Sequence, residues 1–493
     1  MKYKLIFIFC FLSFFKAQAV LDRNKNCQKA LLFCFEFRFI EAKKIIEEEQ
    51  KINSKNAYTA YLSNYIDCIN LILDESELDY KSLKNNKKKN LTFITENCPK
   101  NSPYYRFLQA EINLQWAFAR VKHEDYVSAA LEINKAYNLL SENEKLYPEF
   151  YLNKKSMGLL HALIGTIPED YQWLSSTLGF KGTIKQGLNE LKATYMACEL
   201  DSNNKAYAHE IILYRTFVEG NLQNSKVDFS SLQNELNSLP KTPLIVFCIA
   251  SLHIKSGNND AAIKILQSTN FNSKHKHFYY LDYLLGDCKL KRLDADADKY
   301  LLRYVNNFKG KNYIKAAYLR LWWYYLLFNN KTQANNALQN LLKNGNLIAD
   351  EDKQAVNETK QNALPSLSLL KARLLFDGGY YEKALGKLQQ TSKTELINKN
   401  FYLEYVYRIA RIFDKQLKTE KAKQFYELTL QKGEKEPLYF AASAALHLGN
   451  IYEKEGNEAK ALYYYKKCQS LKNHAYKNSL SQKAKAGINR INS

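Results

Sequence analysis

Arg408 and Arg411 stand about one helical turn apart. With Lys371 they supply the cations that hold a carboxylate by charge-assisted hydrogen bonds, as in an acidic segment or a C-terminal carboxylate. Other residues could do different chemistry. His275 and His277 could touch a metal, but Lys274 and Lys276 oppose a bound cation, and no acid or cysteine adjoins them. His161 falls on an apolar helix face, the setting of a satisfied core histidine. His209 and Glu210 share a helix with Tyr214 and Arg215 and suggest no third partner. The carboxylate pairs Asp350/Asp352 and Asp294/Asp296 fall in polar, solvated stretches, where nothing separates their pKa values for acid–base work. Trp322-Trp323 could form a platform for sugar or peptide, although neighbours on a helix point about 100° apart and core packing competes. The chain carries no GxxxxGK[ST], GxSxG, HExxH or GxGxxG. The expectation is a protein without catalysis, cofactor or metal.

The elements that must position these residues are helices. Over 493 residues there are only 17 Gly and 8 Pro, too few for the tight turns of sandwiches, barrels and Gly-loop enzymes. Helical periodicity runs from residue 22 onward, with no convincing strand alternation. The 36 Tyr and 26 Phe suit helix–helix grooves, where a tyrosine ring packs and its hydroxyl reaches water.

Lys2 and Lys4, the apolar run Leu5 to Phe15 and the small residues of Ala17-Gln18-Ala19 predict a secretory leader cleaved after Ala19. Export to the periplasm or beyond follows, with no further run apolar enough to span a bilayer. Removing Lys2, Lys4 and Lys16 takes the formal charge from +21 to +18. The excess reads as a dispersed, solvated lysine surface, densest at Lys87-Lys88-Lys89 with Lys81 and Lys84 nearby. It leaves room for peripheral association with anionic lipid or acidic polysaccharide, and none for nucleic acid, whose stacking aromatics are not interleaved with it. Eight cysteines follow the leader without a CxxC; Cys248, Cys288 and Cys468 occupy apolar or small-residue helix positions, and a Cys68–Cys98 pairing is conceivable.

From Ala442 the chain reads ASAALHLGNIYEKEGNEAKALYYYKKCQSL, which resembles the tetratricopeptide repeat (TPR). Leu448-Gly449 stands at the close-packing point of a first helix, Gly456 before the turn, and Ala461, Tyr465 and Cys468 along the second. Weaker copies begin near Pro243, Tyr279, Lys315, Pro365 and Leu403; Asp298 stands where alanine is usual and Trp322 where a small residue is. Gly345 to Asn362 reads as a loop with a short helix, Glu77 to Lys100 as a loop with marginal helix, and Tyr476 to Ile491 as a cap. Gly158 to Leu191 resembles a segment of a eukaryotic TPR-like family that includes inclusion-body-clearance proteins; its reading is a helix-inserting hairpin, or a crevice lined by Tyr171, Trp173 and Phe180.

The expected fold is all-α, a TPR-like α-solenoid of antiparallel helix pairs with an irregular N-terminal half. Residues 1–19 form the leader, 20–240 the irregular region, and 241–493 the regular repeats and cap. The resemblance implies an envelope scaffold that binds a protein or peptide on its concave face. Repeat register places Lys371, Arg408, Arg411, Asn450 and Glu453 there. The alternative is an outer-membrane-associated nutrient-binding protein, for glycan or peptide, built on the same helices.

Overall fold

The computed structural model describes residues 23–167, 179–222, 229–268, 271, 273–360, 364–472, 474 and 476–492. The leader, Tyr171 and Trp173 lie outside these residues. The described residues form helices and turns, with no strand among them. They fall into two compact units, Met1–Val227 with Asn272–Lys276, and Asp228–Phe271 with His277–Ser493.

Unit 1 holds α1 (Lys25–Phe35), α2 (Phe39–Ile52), α3 (Ala57–Asp74), α4 (Glu77–Leu83), α5 (Asn86–Asn97), α6 (Pro103–Lys122), α7 (Tyr126–Leu146), α8 (Asn153–Ile164), α9 (Ile184–Leu200) and α10 (Ala208–Phe217). Unit 2 opens with α11 (Ser230–Ser238), α12 (Pro243–Lys255), α13 (Asn259–Gln267), α14 (Tyr279–Arg292), α15 (Ala297–Asn307), α16 (Ile314–Leu327), α17 (Lys331–Lys343) and α18 (Asp350–Thr359). It continues with α19 (Leu367–Asp377), α20 (Tyr381–Gln389), α21 (Lys399–Lys415), α22 (Thr419–Gly433), α23 (Phe440–Lys454), α24 (Glu458–Ser470) and α25 (Lys477–Asn492).

One turn recurs in both units. Phe37, Glu124, Gly257, Leu293, Asn329, Gly379, Leu417 and Gly456 all have left-handed backbone and each ends a first helix. The next amide reaches back five residues, as from Arg38 to Phe33 (2.9 Å), Asp125 to Arg120 (3.0 Å), Lys418 to Phe413 (2.9 Å) and Asn457 to Tyr452 (2.9 Å). This is the Schellman closure, which satisfies the last carbonyls of a helix. Small residues bracket it. Seven residues before the turn stand Ala30, Ala117, Ala250, Gly286, Ala372, Ala410 and Gly449; five after it stand Ala42, Ala129, Ala262, Ala334, Ala384, Ala422 and Ala461. These alanines are at most 2% exposed, because two antiparallel helices touch there and a larger side chain would separate them. Trp322 is the exception in the first set and is nonetheless buried. In α15 the buried small position is Ala297 rather than Asp298, one residue earlier than the repeat register suggested.

Glu77 to Lys100 is not mainly loop: it forms α4 and α5. Tyr80 and Ile94 are buried, and so is Lys87, which donates to Asn113 Oδ1 at 2.8 Å and pairs with Glu132. The densest basic run is thus part of the packing rather than wholly solvated. The glycine-rich segment owes its composition to one crossing of α8 and α9. A Cβ on Gly187 would fall 2.2 Å from the Gly158 carbonyl oxygen, and one on Gly182 would fall 2.5 Å from the His161 Cα. Deep in the same unit, Lys155 Nζ lies between Glu111 Oε2 (2.6 Å) and Glu210 Oε2 (2.7 Å), with all three side chains buried. Tyr65 and Tyr214 donate to Glu210 Oε1 at 3.0 and 2.6 Å, and Ser156 donates to Glu111.

In unit 2 the short helix α18 has a defined task. Asp352 accepts from the Tyr313 amide at 2.6 Å and the Ala316 amide at 2.8 Å, capping α16 from outside it. The polar-stretch reading of Asp352 is therefore corrected: it is fully buried, whereas Asp350 is exposed. Burial pushes the Asp352 carboxyl up to about 6, against the pull of its amide donors. The folded carboxyl holds its proton more tightly than the unfolded one, so its stabilising share is complete below the ordinary carboxylate range and fades as pH rises through about 6. Relative to Asp352→Asn, which cannot titrate, the wild type is expected to lose up to roughly 3 kcal/mol between about pH 4 and pH 7.5. Thermal melts of both proteins across that range check this; a stability difference that stays flat contradicts it.

The eight described cysteines are buried thiols, and Cys68 and Cys98 are not bridged. Burial pushes the thiols of Cys34, Cys98, Cys198 and Cys288 up, and that of Cys468 up to about 11. No helix among the described residues is long and apolar enough to cross a membrane.

Candidate functional site

The first helices of successive pairs in unit 2, α14, α16, α19, α21 and α23, touch one another in order. Where α19 and α21 meet, beside α18 and the start of α23, they enclose a cavity of about 170 Å³. Its lining includes Arg373 and Phe376 of α19, Tyr407, Arg408 and Arg411 of α21, and Tyr439 just before α23.

The three guanidinium groups differ in what they have left to give. Arg373 is forked onto Glu358, with N···O distances of 2.8 and 2.6 Å. Burial pushes Glu358 up, but Arg373 outweighs it and holds the carboxyl below its usual range. Arg408 is half spent on Glu404, one turn back on its own helix, through Nε at 2.7 Å. Arg411 donates to the Tyr407 hydroxyl at 3.0 Å and lies over the Phe376 ring at 4.9 Å. Among the described residues Arg411 makes no ion pair. Asp377 also lines the cavity and its charge bears on Arg411, but it makes no ion pair with it, so this half-buried guanidinium beside two phenols is suited to a carboxylate or another compact oxyanion.

Arg408 and Arg411 both line this cavity. Lys371 shares α19 with Arg373 but does not line the cavity. Asn450 and Glu453 lie on α23, and both are engaged within the chain. Asn450 Oδ1 accepts from the Tyr465 hydroxyl at 2.8 Å, and Glu453 takes Arg490 of α25 through two contacts of 2.8 Å. Sequence reasoning missed Arg373, Tyr407 and Tyr439. The one available signal was the Lys371-Ala372-Arg373 order: Ala372 marks the packed face, and Arg373 flanks it just as Lys371 does.

The other candidates resolve as follows. His161 Nδ1 sits 2.6 Å from Glu190 Oε2. His277 does have an acidic neighbour, Asp282, at 2.6 Å. Trp322 and Trp323 are both buried, and Trp323 lies between the guanidinium groups of Arg320 and Arg373 at 5.4 and 4.8 Å. No group of three or more metal-ligating residues occurs among the described residues.

Residues 442–474 match the family described as Tetratricopeptide repeat. That stretch is α23, its turn and α24; the same turn recurs in the seven other pairs, with both small residues in five of them. A tetratricopeptide repeat is thus shown at residues 442–474, within a chain whose described residues are antiparallel helix pairs. No curated protein matches it. Among solved structures, one resembling it is described as the crystal structure of the APC/C hetero-tetramer Cut9-Hcn1, at 12% identity and a TM-score of 0.24, covering 94% of this chain and 90% of that one.

Proposed function

We propose that this protein is a non-catalytic scaffold of the cell envelope, exported to the periplasm or beyond. On this reading it holds a partner's acidic segment or C-terminal carboxylate at the Arg411 cavity. The observation that carries the proposal is Arg411 itself, a guanidinium free of ion pairs among the described residues at the rim of a cavity it shares with Arg373 and Arg408. The burial of Trp322 and Trp323 removes the aromatic platform that a sugar-binding reading would use.

Changing both Arg408 and Arg411 to Glu would also set a second carboxylate against Glu404, so Arg411→Gln alone is the cleaner variant. Short acidic peptides with a free C-terminal carboxylate are expected to bind the wild type. Amidation of the peptide, or Arg411→Gln, is expected to weaken binding about 10- to 100-fold, the effect of losing one hydrogen bond to a charged group. Calorimetric titration of both peptides against both proteins tests this; equal affinity for acid and amide would sink it.

A further inference from the structure

The sequence from Ala459 to Ser493 holds seven lysines and Arg490 and no aspartate or glutamate. The structure turns this run into a surface. The inner faces of α24 and α25 are occupied, by Ala461, Tyr465 and Cys468 on one helix and Leu480, Ala484 and Gly487 on the other. The lysines are left outside: Lys460, Lys466, Lys472, Lys477, Lys483 and Lys485 are all exposed. Lys467 is paired with Glu434 and Arg490 with Glu453, and Lys460 lies over the Tyr452 ring at 4.9 Å. One tyrosine adds to this surface, Tyr463 at 60% exposure between Lys460 and Lys466, whereas the Tyr476 ring packs edge-to-face on Tyr439.

We infer that this end of unit 2 is a docking face for an anionic phospholipid surface. Three features favour lipid headgroups over a fixed acidic partner. The charges are compact lysine ammonium groups spread over two helices and their connecting loop. A fluid sheet of headgroups can rearrange to meet such points one by one, whereas a rigid acidic partner would favour converging, bidentate arginine. Arg490, the run's one arginine, is engaged with Glu453 through both contacts of its fork. Tyr463, exposed between Lys460 and Lys466, suits the headgroup level, where its ring and hydroxyl are both accommodated. Because α25 keeps its apolar face against Tyr465 and its neighbours, attachment is electrostatic and peripheral, without insertion of the helix.

The test uses the full mature chain and vesicles of phosphatidylcholine alone or mixed with phosphatidylglycerol. Co-sedimentation is expected only with the mixed vesicles, and it should fall about tenfold or more when salt rises from about 50 mM to about 500 mM. Replacing Lys472, Lys477, Lys483 and Lys485 together by Gln is expected to abolish it, with the thermal melt unchanged. Replacing Lys81, Lys84, Lys88 and Lys89 by Gln is expected to leave it intact. The inference is overturned if neutral vesicles bind as well, if the first variant binds like the wild type, or if the second loses binding too. It is equally overturned if polyglutamate is retained while vesicles are not.

Discussion

Lys155→Met is expected to cost unit 1 about 3–5 kcal/mol, the toll of removing one partner from a buried ion cluster. The ammonium lies between Glu111 and Glu210, with Nζ···O distances of 2.6 and 2.7 Å, and no part of the side chain is exposed. Burial opposes the charge on Lys155, yet the two carboxylates outweigh it and hold its pKa above the ordinary lysine value. Burial pushes Glu111 up even with Lys155 present. Without the ammonium, two carboxyls share a dry site with only hydroxyl donors, and Glu111 is driven further up. Its folded value then lies further above its unfolded one, so the variant is least destabilised at acid pH and loses ground as pH rises. Urea unfolding at about pH 5 and pH 8 should show the deficit widening with pH, and Glu111→Gln with Glu210→Gln added should recover much of it. A deficit below about 1 kcal/mol at pH 8 would mean the cluster is not dry.

Gly187→Ala is expected to be nearly as damaging, although it adds one methyl group. That methyl would sit 2.2 Å from the Gly158 oxygen and 2.6 Å from the Ala162 nitrogen, both backbone atoms of α8. Backbone cannot swing aside as a side chain can, so α8 and α9 must separate and lose packing along the whole crossing. Overpacking of this kind costs about 1–3 kcal/mol and more where nothing flexible can yield, and about 3 kcal/mol is expected here. Gly386 supplies the internal control. It lies inside α20 with nothing within 4 Å of an added Cβ, so Gly386→Ala is expected to stabilise by about 0.5–1 kcal/mol through helix propensity. Denaturant midpoints of the two variants should move in opposite directions; equal shifts would contradict the close crossing.

The repeats of unit 2 were legible because several of their turns use residues that advertise left-handed backbone. Gly257, Gly379 and Gly456 stand seven residues after a small residue and five before an alanine. Unit 1 hid the same device because Phe37 and Glu124 occupy the left-handed position, where a bulky or charged side chain gives no sequence signal. α3 and α5 obscured it further, being separated by the short helix α4. The cavity was half legible. Arg408 and Arg411 follow from residue type and helical register, but Tyr439 and Arg373 come from other helices, and no local pattern records which repeats touch. Asn450 and Glu453 faced outward by register alone. That α25 folds back to engage Glu453 through Arg490 is a tertiary fact absent from the repeat. The Lys155 cluster was invisible for the same reason: Glu210 and Tyr214 were noticed on their helix, and their partner lies 55 residues upstream.

The burial of all eight thiols sets how this protein fails. Folded, none of the eight described cysteines presents an accessible sulfur, so glutathione, oxidants and thiol-directed probes find none of these eight to attack whatever the redox poise outside. Once a unit melts, several sulfurs surface together in one flexible chain, and any pair that cross-links before the chain refolds holds it open. Its lifetime in an oxidising milieu is thus governed by how rarely it opens, and a reducing agent in the refolding buffer decides whether the opening can be undone.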